Sequence, residues 1–221
     1  ARECMRKALE LHRRCGNRRG EALALGNMAN VETRDGKLDL AEAHLRAAGA
    51  IHEETGNRRS LAAVLAKLGV LAFTRVEFER ATQYTRRALA LARETGNVDV
   101  QKLASGNRGI ICLHVGAFEA AEHFYRESID LARKARDQVF ADCTGGQLSI
   151  ALLMCGKLDE ARVLALKAAA QVSARQHAVW RHSDILPALI RVFCAGWVRP
   201  GCVCARAQDL AQAQAALAEM G

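Results

Sequence analysis

"ETGNRR", residues 54–59, has two echoes in the chain: "CGNRR" at 15–19 and "ETGN" at 94–97. Glycine reaches the left-handed backbone that ends a helix, and asparagine is among the best residues for capping the start of the next one. On that basis Glu54 and Thr55 close one helix, Gly56 turns the chain and Asn57 opens another. The echoes are forty residues apart, so the sequence can be laid out at that step without a gap: 15–54, 55–94, 95–134, 135–174 and 175–214. Asn17, Asn57 and Asn97 hold the register, Asp137 continues it and His177 breaks it.

Small residues keep the same step. Ala41, Ala81, Ala121 and Ala161 share one column, answered by Gly201. Ala48, Ala88, Ser128 and Ala168 form a second, broken by Gln208. Ala29, Gly69, Gly109 and Ser149 make a third, followed by Leu189. Gly36, Gly116, Gly156 and Gly196 make a fourth, with Val76 as its exception. Internal periodicity of this length marks a stacked repeat. Within a unit the fourth column separates two amphipathic stretches, such as "RRSLAAVLAKLGVLAFT" (58–74) and "EFERATQYTRRALALARE" (77–94), each with apolar residues at three- and four-residue spacing. The small columns have a physical reason, because Ala or Gly at a crossing lets two helix axes approach to the near end of the usual range.

Composition supports an all-helical chain. Half of the 221 residues are hydrophobic but only 5% are aromatic, and both prolines, Pro187 and Pro200, come late. The formal charge of +8 is unevenly placed: residues 1–20 hold seven Lys/Arg against two Glu, and 175–221 hold five against three acids. The middle is balanced. The eight cysteines are too dilute for a disulfide scaffold, which predicts reduced, buried thiols and a cytoplasmic setting. Cys202 and Cys204 form a lone C-x-C without a second pair at zinc spacing, so no metal or other cofactor is expected. The apolar runs are about half a membrane span, and no membrane association is expected.

A helix pair with a small residue early in its first helix, a glycine turn, then Ala-x6-Ala/Ser in its second resembles the tetratricopeptide repeat. The forty-residue step and the "ETGN" linker resemble the long-helix subclass found in bacterial signalling regulators and Pins-like adaptors. The likeness is good over residues 1–174 and poor over 175–221. It implies an all-α, right-handed superhelix of antiparallel hairpins, with about eleven helices. The corresponding divisions are a second helix of a truncated repeat at 1–14, four repeats at 15–174, and a divergent fifth repeat or cap at 175–221. "ARECMRKALELHRR" lacks its first helix, which suggests a fragment of a longer protein. Pro187 and "GWVRPG" predict a bent or late-starting fifth unit.

The resemblance further implies that first helices line a concave face where peptide ligands lie. Carried over column by column, one row of that face is Asn27, Lys67, Asn107 and Gln147. A second is Asn30, Val70, Ile110 and Ile150, and a third is Thr33, Phe73, Leu113 and Leu153. The first row is polar throughout and can bond a peptide backbone, while the apolar rows either select greasy side chains or form inter-repeat core. Lys67 is the one cation in its row, unlike the family's carboxylate clamps, so an amphipathic segment with its apolar side down suits the groove better.

The expected function is therefore a protein- or peptide-binding scaffold within a larger bacterial regulatory protein. The alternatives are a self-associating scaffold docking through its terminal repeats and, from another class, a nucleic-acid-binding helical repeat, for which the scarcity of stacking aromatics is a poor omen. Nothing points to an enzyme: the seven histidines scatter over the columns and no phosphate loop appears. His44 and His52 are expected to face solvent. Arg58 and Arg59 are expected either to pair with Glu53 and Glu54 or, with Arg18 and Arg19, to meet an acidic partner.

Overall fold

A computed structural model describes residues 2–173, and every regular element among them is helical. After α1 (Arg2–Arg14) come α2 (Arg18–Arg34), α3 (Leu38–Glu54), α4 (Arg58–Thr74), α5 (Phe78–Glu94), α6 (Val98–His114), α7 (Phe118–Lys134), α8 (Gln138–Met154) and α9 (Leu158–Ser173). The forty-residue step therefore locates α2, α4, α6 and α8 as equivalent first helices and α3, α5, α7 and α9 as equivalent second helices. The divergent fifth unit, with Pro187 and the C-x-C pair, lies outside the described residues.

The punctuation works as a two-sided joint. Gly56 has φ of +65°. Its N–H donates to the Glu53 carbonyl, and the Asn57 N–H donates back to His52 O at 2.8 Å, which closes α3. Asn57 Oδ1 then accepts from the Ser60 amide at 3.1 Å and opens α4. The same cap recurs where Asn17 accepts from Gly20 N, Asn97 from Val100 N and Asp137 from Phe140 N. Second helices start differently, for Lys37, Glu77 and Ala117 make no side-chain cap bond.

Two positions keep the turn without its glycine. Val76, the exception in the fourth column, has φ of +63°, and Arg136, in the column of Gly16, Gly56 and Gly96, has φ of +57°. Register and turn geometry prevail over local preference there, because the flanking helices still close on the same carbonyls: Val76 N–H donates to Phe73 O and Glu77 N–H to Ala72 O.

The chain divides into two compact units, one ending at Asn107 and the other starting at Arg108, a boundary that falls within α6. In the first unit Leu25, Leu45, Leu61, Leu65, Leu68 and Leu89 are buried around Ala41, Ala48, Ala62, Ala81 and Ala88, the five alanines being wholly inaccessible. In the second, Tyr125, Ile129, Leu148 and Leu152 pack around Ala121, Ala151 and Ala161. Size is traded across each crossing. Gly69 faces Thr85, and Gly109 faces Tyr125, whose ring would lie 2.7 Å from a Cβ at that glycine. The third column shrinks to glycine where its partner grows.

The polar side chains correct three expectations. Arg58 pairs with Glu94 rather than with Glu53 or Glu54, and Glu54 pairs with Arg18. In an antiparallel hairpin the start of the first helix lies beside the end of the second, so the partner is 36 residues ahead. His44 and His52 do not face solvent: His44 Nδ1 sits 2.6 Å from Glu32 Oε2, and His52 is only 8% exposed. Both occupy the inward stripe of α3 that a two-turn spacing leaves ambiguous. Cys4 and Cys15 are exposed, against the expectation of buried thiols, since α1 presents the first to solvent and the second lies in the turn after it. Cys112, Cys143 and Cys155 are half-buried, and all five are free.

Candidate functional site

In the first unit α2 and α4 stand side by side, with the last turn of α3 between their starting ends. Their facing sides enclose a cleft of about 490 Å³, lined by Asn17, Arg19, Gly20, Ala22, Leu23, Gly26 and Asn27 from α2 and its cap, His52 from α3, and Asn57, Ser60, Ala63, Val64 and Lys67 from α4 and its cap. Small residues make the space: Gly20, Gly26 and Ala63 leave room that a larger side chain would fill. Of the predicted row, Asn27 and Lys67 meet on this cleft. Asn30 and Val70 are exposed on the same two helices, Val70 to 42%, without lining it. Phe73 and Asn107 are half-buried, and the Phe73 ring leans on Phe78 at 5.9 Å across the α4–α5 turn.

The electrostatics of the cleft are one-sided. Arg19 and Lys67 are its charged residues, no carboxylate lines it, and neither cation has an ion-pair partner among the described residues. Desolvation by the walls pushes the Lys67 ammonium below its ordinary value, although the residue as a whole stays open to solvent. Desolvation likewise lowers His52, whose imidazole makes no hydrogen bond. The nearby acids are engaged outside the cleft: Glu21 takes Arg13 at 2.9 Å and Arg18 at 2.8 Å, Glu53 takes Arg87 at 2.6 Å, and Glu54 takes Arg18.

In the second unit the equivalent residues behave more like core. Ile110 and Leu113 are half-buried and pack against its hydrophobic cluster. Gln147 and Ile150 are half-buried on α8. The Arg108 guanidinium lies 4.1 Å over the Phe124 ring, a cation-π contact that holds one cation against its own unit. Burial drives the Tyr125 hydroxyl well above its ordinary value, and that oxygen has no partner.

Arg19, Leu23 and His52 are cleft residues that column reasoning did not select. Leu23 is 65% exposed and begins a column of its own, Leu23, Ala63, Leu103 and Cys143, that adjoins the polar row. His52 stands where the forty-residue step elsewhere puts the inaccessible Ala92 and Ala132, so a histidine in an alanine column was the available signal.

A tetratricopeptide repeat family model matches residues 20–94, the stretch holding α2 to α5 and this cleft. Among solved structures the chain is similar to BtubC (BKLC) from P. vanneervenii, with a TM-score of 0.76 at 17% identity over 98% of this chain and 87% of that one. It is also similar to the nearly identical TPR-like repeats of a Podosopora anserina protein assigned as a kinesin light chain, at TM-score 0.65 and 16% identity over 89% and 95%. The apo form of RapI is similar too, at 0.65 and 14% identity over 97% of this chain and 57% of that one. No curated protein matches the sequence significantly. Among the described residues no helix is long and apolar enough to cross a membrane. Residues 20–94 thus belong to the tetratricopeptide repeat, and the chain has the all-helical fold of tetratricopeptide-like solenoids, in general a scaffold for protein interaction.

Proposed function

We propose that this chain is the peptide-binding module of a larger regulatory protein, with a partner segment held along its first helices. The observation that carries the reading is the α2/α4 cleft, where Asn27 and Lys67 of the polar row converge beside the exposed Leu23. A groove with amide and ammonium donors on one side and an open apolar side chain on the other can bond a peptide backbone while seating an apolar side chain. Asn30, Val70, Phe73 and Asn107 extend this face in the first unit. Ile110, Leu113, Gln147 and Ile150 are the corresponding residues of the second, with Ile110 and Leu113 shared between that face and the unit's core. The role is non-catalytic and the setting cytoplasmic, a reading supported by free cysteines in the described chain.

Random peptides displayed on phage and selected against the chain test this directly. Selected sequences bind the intact chain and lose about tenfold in affinity to an Asn27→Ala/Lys67→Ala variant whose urea unfolding is unchanged. Selection of nothing, or of peptides indifferent to that variant, overturns the reading.

A further inference from the structure

Resting on that reading, we propose that the α2/α4 cleft receives a carboxylate side chain of an acidic peptide segment, contacted by His52, Arg19 and Lys67, and that binding delivers a proton to His52. The first ground is charge complementarity. Two cations without ion-pair partners face a space lined by no carboxylate, so a peptide cation would meet like charge and a neutral peptide would leave both charges uncompensated.

The second ground is His52 itself. It is more than nine-tenths buried, it lines the cleft, and its imidazole lacks a hydrogen-bond partner. A polar group held so costs stability that an alanine in that column would not. An arriving carboxylate supplies the missing acceptor and, by its charge, favours the imidazolium. The groups facing His52 are Arg19 from α2 and Lys67 from α4, both of which oppose its protonation in the empty cleft. On its own helix Glu53 and Glu54 are held outward by Arg87 and Arg18. The free cleft therefore keeps His52 neutral near pH 7, and the occupied one does not. Neutralising the cations with the ligand's own negative charge removes the opposition at the moment the acceptor arrives.

Proton uptake makes the association tighter as pH falls, by up to about tenfold per pH unit when one whole proton is taken up. It also makes it salt-sensitive, since the outer parts of both cations are solvated.

The experiment uses fluorescein-labelled hexaglutamate, with hexaglutamine as its neutral counterpart, against the full chain at pH 5.5, 6.5 and 7.5 in low salt. Hexaglutamate is expected to bind at least tenfold tighter than hexaglutamine and to gain affinity as pH falls. His52→Gln and His52→Ala should flatten that pH dependence, and Lys67→Gln should weaken binding at every pH. The alanine variant matches the residue its column carries at 92 and 132, so it keeps the fold if the glutamine variant does not. In parallel, the His52 ring proton resonance, assigned by its loss in the variants, should titrate at higher pH when hexaglutamate is present. Equal binding of both peptides, or a His52 titration that hexaglutamate leaves unmoved, overturns the proposal. Phage-selected peptides that are neutral, bind the cleft and ignore His52→Gln would sink it while leaving the peptide-binding reading intact.

Discussion

Val76 and Gly109 mark the two limits of what a single side chain can do in this repeat. Val76 holds φ of +63° with a β-branched side chain, a conformation costing roughly 1–2 kcal/mol for an L residue, whereas glycine there gives back about 0.5–1 kcal/mol in unfolded-state entropy. The first effect wins, so Val76→Gly should stabilise the chain by about 0.5–1 kcal/mol, read as a higher urea midpoint at unchanged slope. A lower midpoint would mean that the valine's exposed side chain contributes contacts its 68% exposure does not suggest. Gly109 is the opposite case. A methyl there gains about 1 kcal/mol of helix propensity but lies 2.7 Å from the ring of a wholly inaccessible Tyr125, and overpacking costs typically 1–3 kcal/mol. Gly109→Ala should therefore destabilise by about 1 kcal/mol. Adding Tyr125→Leu reproduces the alanine-leucine pairing found at Ala29 and Leu45, and the double variant should be more stable than the sum of the singles.

At the scale of a helix, the asparagine caps form a graded series. Asn17 is exposed, Asn57 half-buried and Asn97 buried, while all three accept from the amide three residues on. Water can replace an exposed cap but not a buried one. Substitution by alanine should thus cost about 0.5 kcal/mol at Asn17 and up to about 2 kcal/mol at Asn97, with Asn57 between, measured by urea denaturation. Equal costs would show that capping here is independent of burial. Helix ends were legible in the sequence because glycine and asparagine do local work that composition reveals. Val76 and Arg136 show the same joint made by unsuitable residues, and there only the register could locate it. The ion pairs were less legible. Arg58 chooses Glu94 over its sequence neighbours because the hairpin folds back on itself, a distance that a local reading of charge does not include. Periodicity alone could not place His44 and His52 either, since a residue at the edge of a helix stripe may turn inward or outward, and the neighbouring repeat decides. The cleft followed the same logic: its polar row was visible as a column, but Arg19 and His52 belong to other columns and join Lys67 only when α2, α3 and α4 pack.

For the whole molecule, pH tests the balance among these groups, because the buried carboxylates and His52 titrate in different ranges. Bonds to Lys157 and then Arg126 hold Glu122 below the ordinary carboxylate value, against the opposing effect of burial. Burial is the largest influence on Glu42 and pushes it up, yet Arg80, Arg46 and Arg75 together outweigh it. The Arg13 bond leads in lowering Glu21. A carboxyl depressed in the folded state contributes stability that is present above its unfolded value, near 4.3, and is lost as pH falls through the folded one. His52 is also depressed but is a base: between its folded value and the unfolded 6.5 the unfolded chain binds the proton and the folded chain does not, so stability drops as pH falls through that window. Two losses are therefore expected in order, the first below about pH 6.5 and removed by His52→Ala, the second below about pH 4 and shared among the three glutamates. Glu122→Gln should cost about 1 kcal/mol at pH 7, a modest figure because Arg126 and Lys157 are each about half exposed and screened by solvent. Below the folded value of Glu122 the native carboxyl is itself neutral, so the urea midpoints of variant and parent should converge there. A gap that persists at pH 2 would mean that shape and packing of the carboxyl, rather than its charge, tie α7 to α9.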